Sequence, residues 1–292
     1  MSTIEDPRTI HPRPPYSNEP QPMPGFEKSM DPVADHGEES YVGNRLLEGR
    51  KALITGADSG IGRAVALAFA REGADIVVSY LSEHEDAAET GRLVEAAGRK
   101  VMLLPGDLRS REGCQTVAQE AVKSLGGIDI LVNNAAFQST HDDLSDFSDD
   151  EFEKTFEVNV FALFRLCKAL MPQMSPGASI INTGSIQSFD PSTNLLAYAA
   201  TKSAIVSLTR SLAGMAIKQG VRVNAVAPGP VWTPLIPSTM PSEKVKTFGS
   251  NTVFGRAGQP AEMAPIFVFL ASAAASYVTG EVYGATGGQM PL

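Results

Sequence analysis

The feature that most constrains the fold is an alternation that begins near Leu46, where short β-branched runs take turns with longer stretches of helical apolar periodicity. Such alternation is typical of βαβ units, in which parallel strands are covered by helices on both faces. It predicts an α/β fold: one doubly wound Rossmann domain on a seven-stranded parallel sheet of order 3-2-1-4-5-6-7, with ligands beyond the carboxyl ends of the strands. The predicted strands are 51–55, 75–79, 100–104, 128–132, 179–183, 221–225 and 282–285, and the predicted helices are 61–72, 83–97, 111–125, 150–174, 198–219 and 261–272.

The first 44 residues have a different composition, since eight of the 20 prolines lie between Pro7 and Pro32. Proline removes a backbone donor and excludes helix interiors and central strands. We predict an extended or disordered proline-rich arm over residues 1–44 and a single Rossmann domain over residues 45–292. Its apolar residues would suit an arm lying on a neighbouring surface, and a solvated tail is the alternative. These anchors are Tyr16, Met23, Phe26 and Met30.

Charge and hydropathy exclude several classes of function. The chain has 24 Lys and Arg against 33 Asp and Glu, a formal net charge of -9. Nucleic-acid binding needs clustered basic residues, so we expect no nucleic-acid partner. The longest apolar run, 265–275, is shorter than the roughly 20 residues that span a bilayer, so we expect no membrane partner.

Cysteine and histidine usage bears on compartment and metals. Cys114 and Cys167 both lie in predicted helices, which suits a reducing compartment. The first residues lack the charged start and apolar core of a secretory signal. The four histidines are scattered without the spacing of metal ligands. We therefore expect a cytoplasmic protein with no metal site.

A glycine-rich turn joins the first predicted strand to the first predicted helix. Glycine permits positive φ and close backbone approach, and free N–H groups at a helix start can bind a pyrophosphate. A tight turn is the alternative, but the strand before and the helix after favour a dinucleotide site. The candidate contacts in this turn are Gly56, Asp58, Ser59, Gly60, Ile61 and Gly62.

Further candidate cofactor contacts follow the second, third and fourth predicted strands, at Ser79, Tyr80, Asp107, Leu108, Asn133 and Ala135. Asp107 could accept a hydrogen bond from an adenine amino group, or it could cap the next helix. An acidic residue ending the second strand would select NAD and a nearby arginine NADP, but this sequence has neither. Because Asp58, Glu83, Glu85 and Asp86 disfavour an added phosphate, we favour NAD, and NADP stays open because the hydroxyl side chains at the end of this strand could serve either cofactor.

The candidate catalytic residues are Ser185, just after the fifth strand, and Tyr198 and Lys202, four residues apart on one helix. That spacing places the tyrosine and the lysine on one face. A free phenol has a pKa near 10, so a neighbouring cation would favour its phenolate. Ser185 could stabilise charge on a substrate oxygen. Asn159 could hold a water that connects Lys202 to solvent. Each of these residues could also have a purely structural role. Their occurrence together, in this order after a glycine turn, favours a catalytic role.

The stretch from Leu46 to Gly288 resembles the short-chain dehydrogenase/reductase family. T-G-x-x-x-G-x-G at 55–62, the element at Asn133, then Asn159, Ser185 and Tyr-x-x-x-Lys at Tyr198 and Lys202 carry the resemblance. It implies that Tyr198 is the general acid/base, Lys202 a pKa modifier and ribose ligand, Ser185 a carbonyl polariser and Asn159 a proton relay. Alanine at Ala136, where the usual pattern has glycine, is a small departure.

The same resemblance implies a nicotinamide loop formed by Pro228, Gly229, Val231 and Thr233, and a homotetramer. The arm resembles that of a subgroup containing bacterial stress-related oxidoreductases and plant glucose/ribitol dehydrogenase homologues. The predicted substrate contacts are Gln187, Phe189, Leu195 and Trp232, a mixture that suits an alcohol, aldehyde, ketone or polyol.

These observations favour an NAD(P)-dependent oxidoreductase, an alcohol dehydrogenase or carbonyl reductase, that moves a hydride between nicotinamide and substrate. A non-catalytic NAD(P)-binding sensor or scaffold is an alternative from another class, which would bind cofactor without turnover. A redox-neutral epimerase or dehydratase is a second alternative, and it would retain its nicotinamide through purification.

Overall fold

The computed structural model describes residues 6–17 and 19–289. Seven parallel strands form one sheet in the order β3-β2-β1-β4-β5-β6-β7, which confirms the predicted doubly wound topology. The strands are β1 Lys51–Thr55, β2 Asp75–Tyr80, β3 Val101–Pro105, β4 Ile130–Asn133, β5 Ser179–Thr183, β6 Arg222–Pro228 and β7 Val282–Ala285. Three strands match the predicted bounds, and β6 extends to Pro228 because its whole length is buried.

Helices cover both faces of this sheet. They are α1 Gly60–Arg71, α2 His84–Ala96, α3 Arg111–Leu125, α4 Asp149–Phe156, α5 Ala162–Leu170, α6 Leu196–Ala216, α7 Leu235–Thr239, α8 Ser242–Lys246 and α9 Pro260–Ala271. Successive strand residues point to opposite faces. Ile54 therefore packs in the core under α1 and α9, whereas Leu53 packs in the core under α3, α5 and α6.

The prediction of one continuous helix over 150–174 is wrong, because the structure interrupts this helix. A π-helical turn at Glu157–Phe161 separates α4 from α5, and a 3-10 turn at Met171–Gln173 follows. A π turn accommodates an extra residue within a helix and changes the direction of the side chains in it. This turn carries Asn159, whose side chain is buried.

The described part of the arm packs against its own chain. Tyr16 and Met30 are each only 4% exposed and contribute to a small core with Trp232, Ile236 and Val245. The ring centroids of Tyr16 and Trp232 are 4.4 Å apart. Of the predicted anchors, Met23 is 52% exposed. The division of the chain at residue 44 into an arm and a domain stays a prediction.

Two further observations concern the helical layers. Cys114 of α3 and Cys167 of α5 are free thiols buried in the core beneath those helices. Across the described ranges, no helix combines the length and apolar character needed to cross a membrane.

Candidate active site

The carboxyl ends of the strands open into a cavity of about 1100 Å³. Ligand pockets for single small molecules usually measure about 300–1,000 Å³, so this cavity is large enough for a dinucleotide together with a small substrate. Its walls are the glycine turn, the ends of β2 to β6, the segment 228–251 and residues 23–25 of the arm.

The glycine turn forms one wall. Gly56, Asp58, Ser59, Gly60 and Ile61 line the cavity. Gly62 lies behind this surface within the described chain, and a Cβ at that position would stand 1.9 Å from the Gly56 carbonyl oxygen. Its predicted contact with cofactor is therefore indirect, because Gly62 permits α1 to approach the strand closely.

The end of β2 offers a buried polar atom. Ser79 and Tyr80 both line the cavity as predicted, and the Ser79 hydroxyl oxygen is buried without a hydrogen-bond partner among the described residues. Because a buried hydroxyl normally has a partner, this atom fits a polar ligand group in the cavity. Nearby, burial and the charge of Glu83 raise the pKa of Asp58 to about 7.

Asp107 and Leu108 line the cavity after β3. The Asp107 carboxylate is already paired, since the Arg109 guanidinium donates to both of its oxygens at 2.6–3.1 Å. These hydrogen bonds lower the pKa of Asp107. Its predicted hydrogen bond to adenine would therefore have to share this carboxylate with Arg109.

One predicted cofactor contact, Asn133, is replaced in the structure by the next residue along the chain. Asn133, the last residue of β4, is buried in the core, where its amide donates to Asn182 Oδ1 at 2.9 Å and to Cys167 Sγ at 3.6 Å. Asn134 and Ala135 line the cavity instead. Asn134 also donates to the carbonyl oxygens of Thr55 and Gly56 at 3.1 Å each, so it ties β4 to the glycine turn.

Ser185, Tyr198 and Lys202 come together at the cavity. Lys202 Nζ lies 5.3 Å from the centroid of the Tyr198 ring and donates to the Thr183 carbonyl oxygen at 2.7 Å. The lysine is 2% exposed, and its burial lowers its pKa to about 7. The predicted geometry of a tyrosine, a lysine and a serine at one site is present.

The expected pKa of Tyr198 is corrected. Burial raises the pKa of Tyr198 to about 12, and a hydrogen bond with Ser185 acts in the opposite direction. The neighbouring ammonium does not reverse this shift, because burial of Lys202 disfavours its own charge. Tyr198 therefore keeps its proton at neutral pH in this structure.

Asn159 lies beneath the cavity and not on its wall, within the part of the chain that is described. Its Oδ1 accepts from the Phe137 N–H at 2.8 Å, and its Nδ2 donates to the Phe137 carbonyl oxygen at 2.9 Å. Nδ2 also donates to Thr201 Oγ1 at 3.0 Å. The side chain is thus committed to holding the 134–138 segment, and a relay role would fall to the backbone of Asn159.

The remaining predicted residues divide into two groups. Pro228, Gly229, Val231, Thr233, Gln187 and Leu195 line the cavity. Phe189 and Trp232 do not line it in the described structure, which corrects their predicted substrate contacts. Trp232 is 1% exposed, and its indole N–H donates to the Pro32 carbonyl oxygen of the arm at 2.8 Å.

Several cavity residues were missed by the sequence analysis. From the arm come Met23, Pro24 and Gly25; from the rest of the chain come Gln138, Lys154, Asp190 and Ser192. The apolar anchors of the arm were a signal for the first group. The others lie in loops and on helices where no local pattern indicates a ligand. Over the described residues, no group of three His, Cys, Asp or Glu side chains could hold a metal ion.

Comparisons with known proteins agree with this geometry. Residues 56–289 match a family model described as enoyl-(acyl carrier protein) reductase. The chain is 50% identical to the uncharacterized oxidoreductase YghA of Escherichia coli over 99% of each chain. It is 44% identical to a glucose and ribitol dehydrogenase homolog of Oryza sativa, covering 94% of this chain and 96% of that protein. It is 42% identical to an NADPH-dependent aldehyde reductase of Arabidopsis thaliana, covering 91% and 95%.

Two solved structures are also similar. A blue fluorescent protein from a metagenomic library, in complex with NADPH, matches with a TM-score of 0.78 and 31% identity, covering 84% of this chain and all of that chain. A short-chain dehydrogenase from Burkholderia cenocepacia, in complex with NADP, also has a TM-score of 0.78, with 29% identity and coverage of 83% and 98%.

Proposed function

This chain belongs to the short-chain dehydrogenase/reductase family and is an NAD(P)-dependent oxidoreductase, and on that premise we propose that it reduces carbonyl compounds and oxidises the corresponding alcohols. The observation that carries the proposal is the convergence of Ser185, Tyr198 and Lys202 on the cavity. The bound dinucleotide supplies or accepts the hydride. The remaining chemistry is movement of one proton and stabilisation of one oxygen, which these side chains can perform.

In the reducing direction, the Ser185 hydroxyl donates a hydrogen bond to the carbonyl oxygen and polarises it. Charge grows on that oxygen as the hydride reaches the carbon, and Tyr198 Oη gives it a proton. Because burial raises the pKa of Tyr198 to about 12, the phenol carries the required proton at neutral pH. Lys202 would bind the ribose and, when protonated, restore the proton to the phenolate.

The choice between NAD and NADP belongs to the same proposal. The acidic surroundings of Asp58 and Glu83 led us to predict NAD, but the two solved relatives described above bind NADPH and NADP. A cation is also available, since Arg109 lines the cavity and is paired only with Asp107 among the carboxylates described. We propose that both dinucleotides bind, and kinetics with NADH and NADPH in parallel measure the preference.

The substrate end of the cavity supports a small polar carbonyl compound or polyol. Gln187 donates to Ser192 Oγ at 2.9 Å and lines the wall near Leu195. Gln138 donates to Thr239 Oγ1 at 2.7 Å on the opposite side. Amide and hydroxyl groups of this kind can bind substrate hydroxyls and fix their orientation. Aldehydes and sugar alcohols are therefore the first substrates to test.

The decisive experiment replaces the proposed proton donor. Tyr198→Phe should lower turnover of an accepted aldehyde by about 10²–10⁴-fold, the usual contribution of a general acid, while the dissociation constant for NADPH stays within about threefold. Tyr277→Phe is the matched control, because that tyrosine is fully exposed at 102%. Undiminished turnover in Tyr198→Phe would remove the proposed mechanism.

Assays of the same purified protein distinguish the proposed function from the two alternative functions. A sensor or scaffold would bind dinucleotide but turn over nothing across a panel of aldehydes, ketones and polyols. An epimerase or dehydratase would carry tightly bound nicotinamide through purification and show no net change in its absorbance. Steady-state oxidation of NADPH by an aldehyde contradicts both.

Assembly and location complete the proposal. We propose a homotetramer, because apolar side chains remain exposed on the π-helical turn, on α5 and on α6, with Phe161, Phe164 and Met215 at 45%, 48% and 59%. Exposed apolar patches of this kind mark association surfaces. We also propose a cytoplasmic location, which is supported by two free cysteines in the described structure.

A further inference from the structure

We propose that Glu27, a residue of the proline-rich arm, is a positioning residue for the dinucleotide and holds the glycine turn in its binding conformation. The inference rests on the proposed function, since it concerns the same cavity. It gives the arm a part in cofactor binding that a linker or solvated tail could not have.

The first observation is a direct contact between the arm and the turn. Glu27 Oε2 accepts a hydrogen bond from the Gly60 N–H at 2.8 Å, across 33 positions of sequence. Glu27 is 3% exposed and lies behind the turn, whereas Ser59, Gly60 and Ile61 face the cavity. A carboxylate is favourable at a helix start. It therefore stabilises the first residues of α1 from the side opposite the ligand.

The second observation is that the buried Glu27 carboxylate lies beside a histidine and belongs to a cluster of charged side chains. His36 Nε2 lies 3.2 Å from Glu27 Oε2, and His36 Nδ1 lies 3.0 Å from Glu38 Oε1. The Glu27 N–H also donates to Asp86 Oδ2 at 2.9 Å, and Asp86 lies 3.5 Å from the Arg63 guanidinium. A buried carboxylate is tolerated only where opposite charges and donors surround it. These contacts hold Glu27 in place through its backbone N–H and its Oε2, while its Oε1 has no hydrogen-bond partner among the described residues.

The third observation is that the arm residues just before Glu27 reach the opposite wall. The Gln21 N–H donates to the Pro237 carbonyl oxygen at 3.0 Å, and Ser238 Oγ donates to the Pro24 carbonyl oxygen at 3.3 Å. Gly25 has φ +90°, and a Cβ there would stand 2.5 Å from the Pro234 carbonyl oxygen. One short stretch of arm thus touches the glycine turn, lines the cavity and binds the 234–238 part of its wall.

The test compares Glu27→Ala, Glu27→Gln and the control Glu39→Ala, an exposed glutamate of the same arm. Dissociation constants for NADPH and NADH are measured by fluorescence, with KM and kcat from steady-state kinetics. Glu27→Ala should weaken dinucleotide binding by about tenfold or more, the scale of one hydrogen bond to a charged group. Glu27→Gln keeps an oxygen acceptor for the Gly60 N–H and should restore most of the affinity.

The kinetic pattern separates positioning from general loss of structure. In Glu27→Ala, KM for the dinucleotide should rise while kcat at saturating dinucleotide stays within about twofold, since the residue touches no reacting atom. Equal dissociation constants for Glu27→Ala and Glu39→Ala would overturn the inference. Because binding is the readout, weakened binding supports it even if no carbonyl compound is reduced, so failure of the proposed reaction is distinguishable.

A measurement on the wild-type chain covers the case in which Glu27→Ala does not fold. Coupling between two sites is reciprocal, so NADPH must stabilise the arm as much as the arm assists NADPH. Hydrogen exchange of the amides in residues 21–30 should slow on adding NADPH, together with those of the glycine turn. Protection of the glycine turn with unchanged exchange in the arm would overturn the inference.

Discussion

At the scale of single residues, helical spacing correctly predicted that Tyr198 and Lys202 share a helix face, whereas the predicted cofactor contact at the end of β4 was placed one residue too early. Tyr198 and Lys202 share a helix face because one turn separates them, and both line the cavity. Asn133 was assigned to the cofactor, but the last residue of β4 faces the core and its neighbour Asn134 faces the cavity. A shift of one residue exchanges the two faces of a strand, and sequence rarely fixes a strand end that closely.

His36 should make stability depend on pH. Burial pushes its pKa down, but Glu27 and Glu38 outweigh that and, against the opposing charge of Arg63, raise it from 6.5 to about 9. The protonated histidine therefore contributes its full stability below about pH 6.5 and loses it as the pH rises through about 9. The free energy of unfolding, from urea titrations at several pH values, should fall across this window in the wild type.

The comparison that isolates this effect uses two variants. His36→Gln should be less stable than the wild type at pH 6, and the gap should narrow towards pH 10. His84→Gln, which removes an exposed imidazole, is the matched control. A constant gap between His36→Gln and the wild type across the window would contradict the assignment.

At the scale of elements, the periodicity of apolar residues placed every strand and most helices. It missed the π-helical turn within the predicted helix 150–174 because an apolar stripe continues on both sides of a single added residue. The effect of the turn appears only in the folded chain, where it places the Asn159 side chain against the backbone of Phe137. These two residues are 22 positions apart, so no local sequence pattern predicts the contact.

Asn159→Ala should expose the importance of this turn. The substitution removes the partner of the half-buried N–H and carbonyl groups of Phe137 and one partner of the buried Thr201 hydroxyl, and one unsatisfied buried group costs about 1–3 kcal/mol of unfolding free energy. Because the 134–138 segment lines the cavity, kcat should also fall by about ten- to a hundredfold, as expected of a misplaced site. Asn44→Ala, at an exposed asparagine, is the control, and wild-type stability in Asn159→Ala would refute the role.

At the scale of the whole molecule, composition correctly indicated that the first residues differ from the rest, because proline-rich chain forms neither helix interior nor sheet. It did not show where the arm lies. Contacts such as Tyr16 on Trp232 join positions more than 200 residues apart, and only the folded chain brings them together.

Removal of residues 1–43 should therefore lower stability. It exposes Trp232, Ile236 and Val245, which the arm buries, and each large apolar side chain contributes about 1.5–3 kcal/mol when buried. The midpoint of thermal unfolding should fall by about 10 °C or more. Light scattering should give the same number of chains per particle before and after the truncation, because the described part of the arm packs on its own chain. An unchanged midpoint would contradict the packing role, and a smaller assembly would contradict the second expectation.

The two cysteines give the molecule an internal reporter. Cys114 donates to the Leu108 carbonyl oxygen at 3.1 Å, close to the proposed adenine side, and Cys167 accepts from Asn133 under β4. Burial raises the pKa of both thiols, that of Cys167 to about 12. Alkylating reagents attack the thiolate, so each sulfur becomes reactive only when the helix that carries it separates from the sheet. The rate of thiol modification therefore reports how often these helices separate from the sheet, in the wild-type protein and without an attached probe.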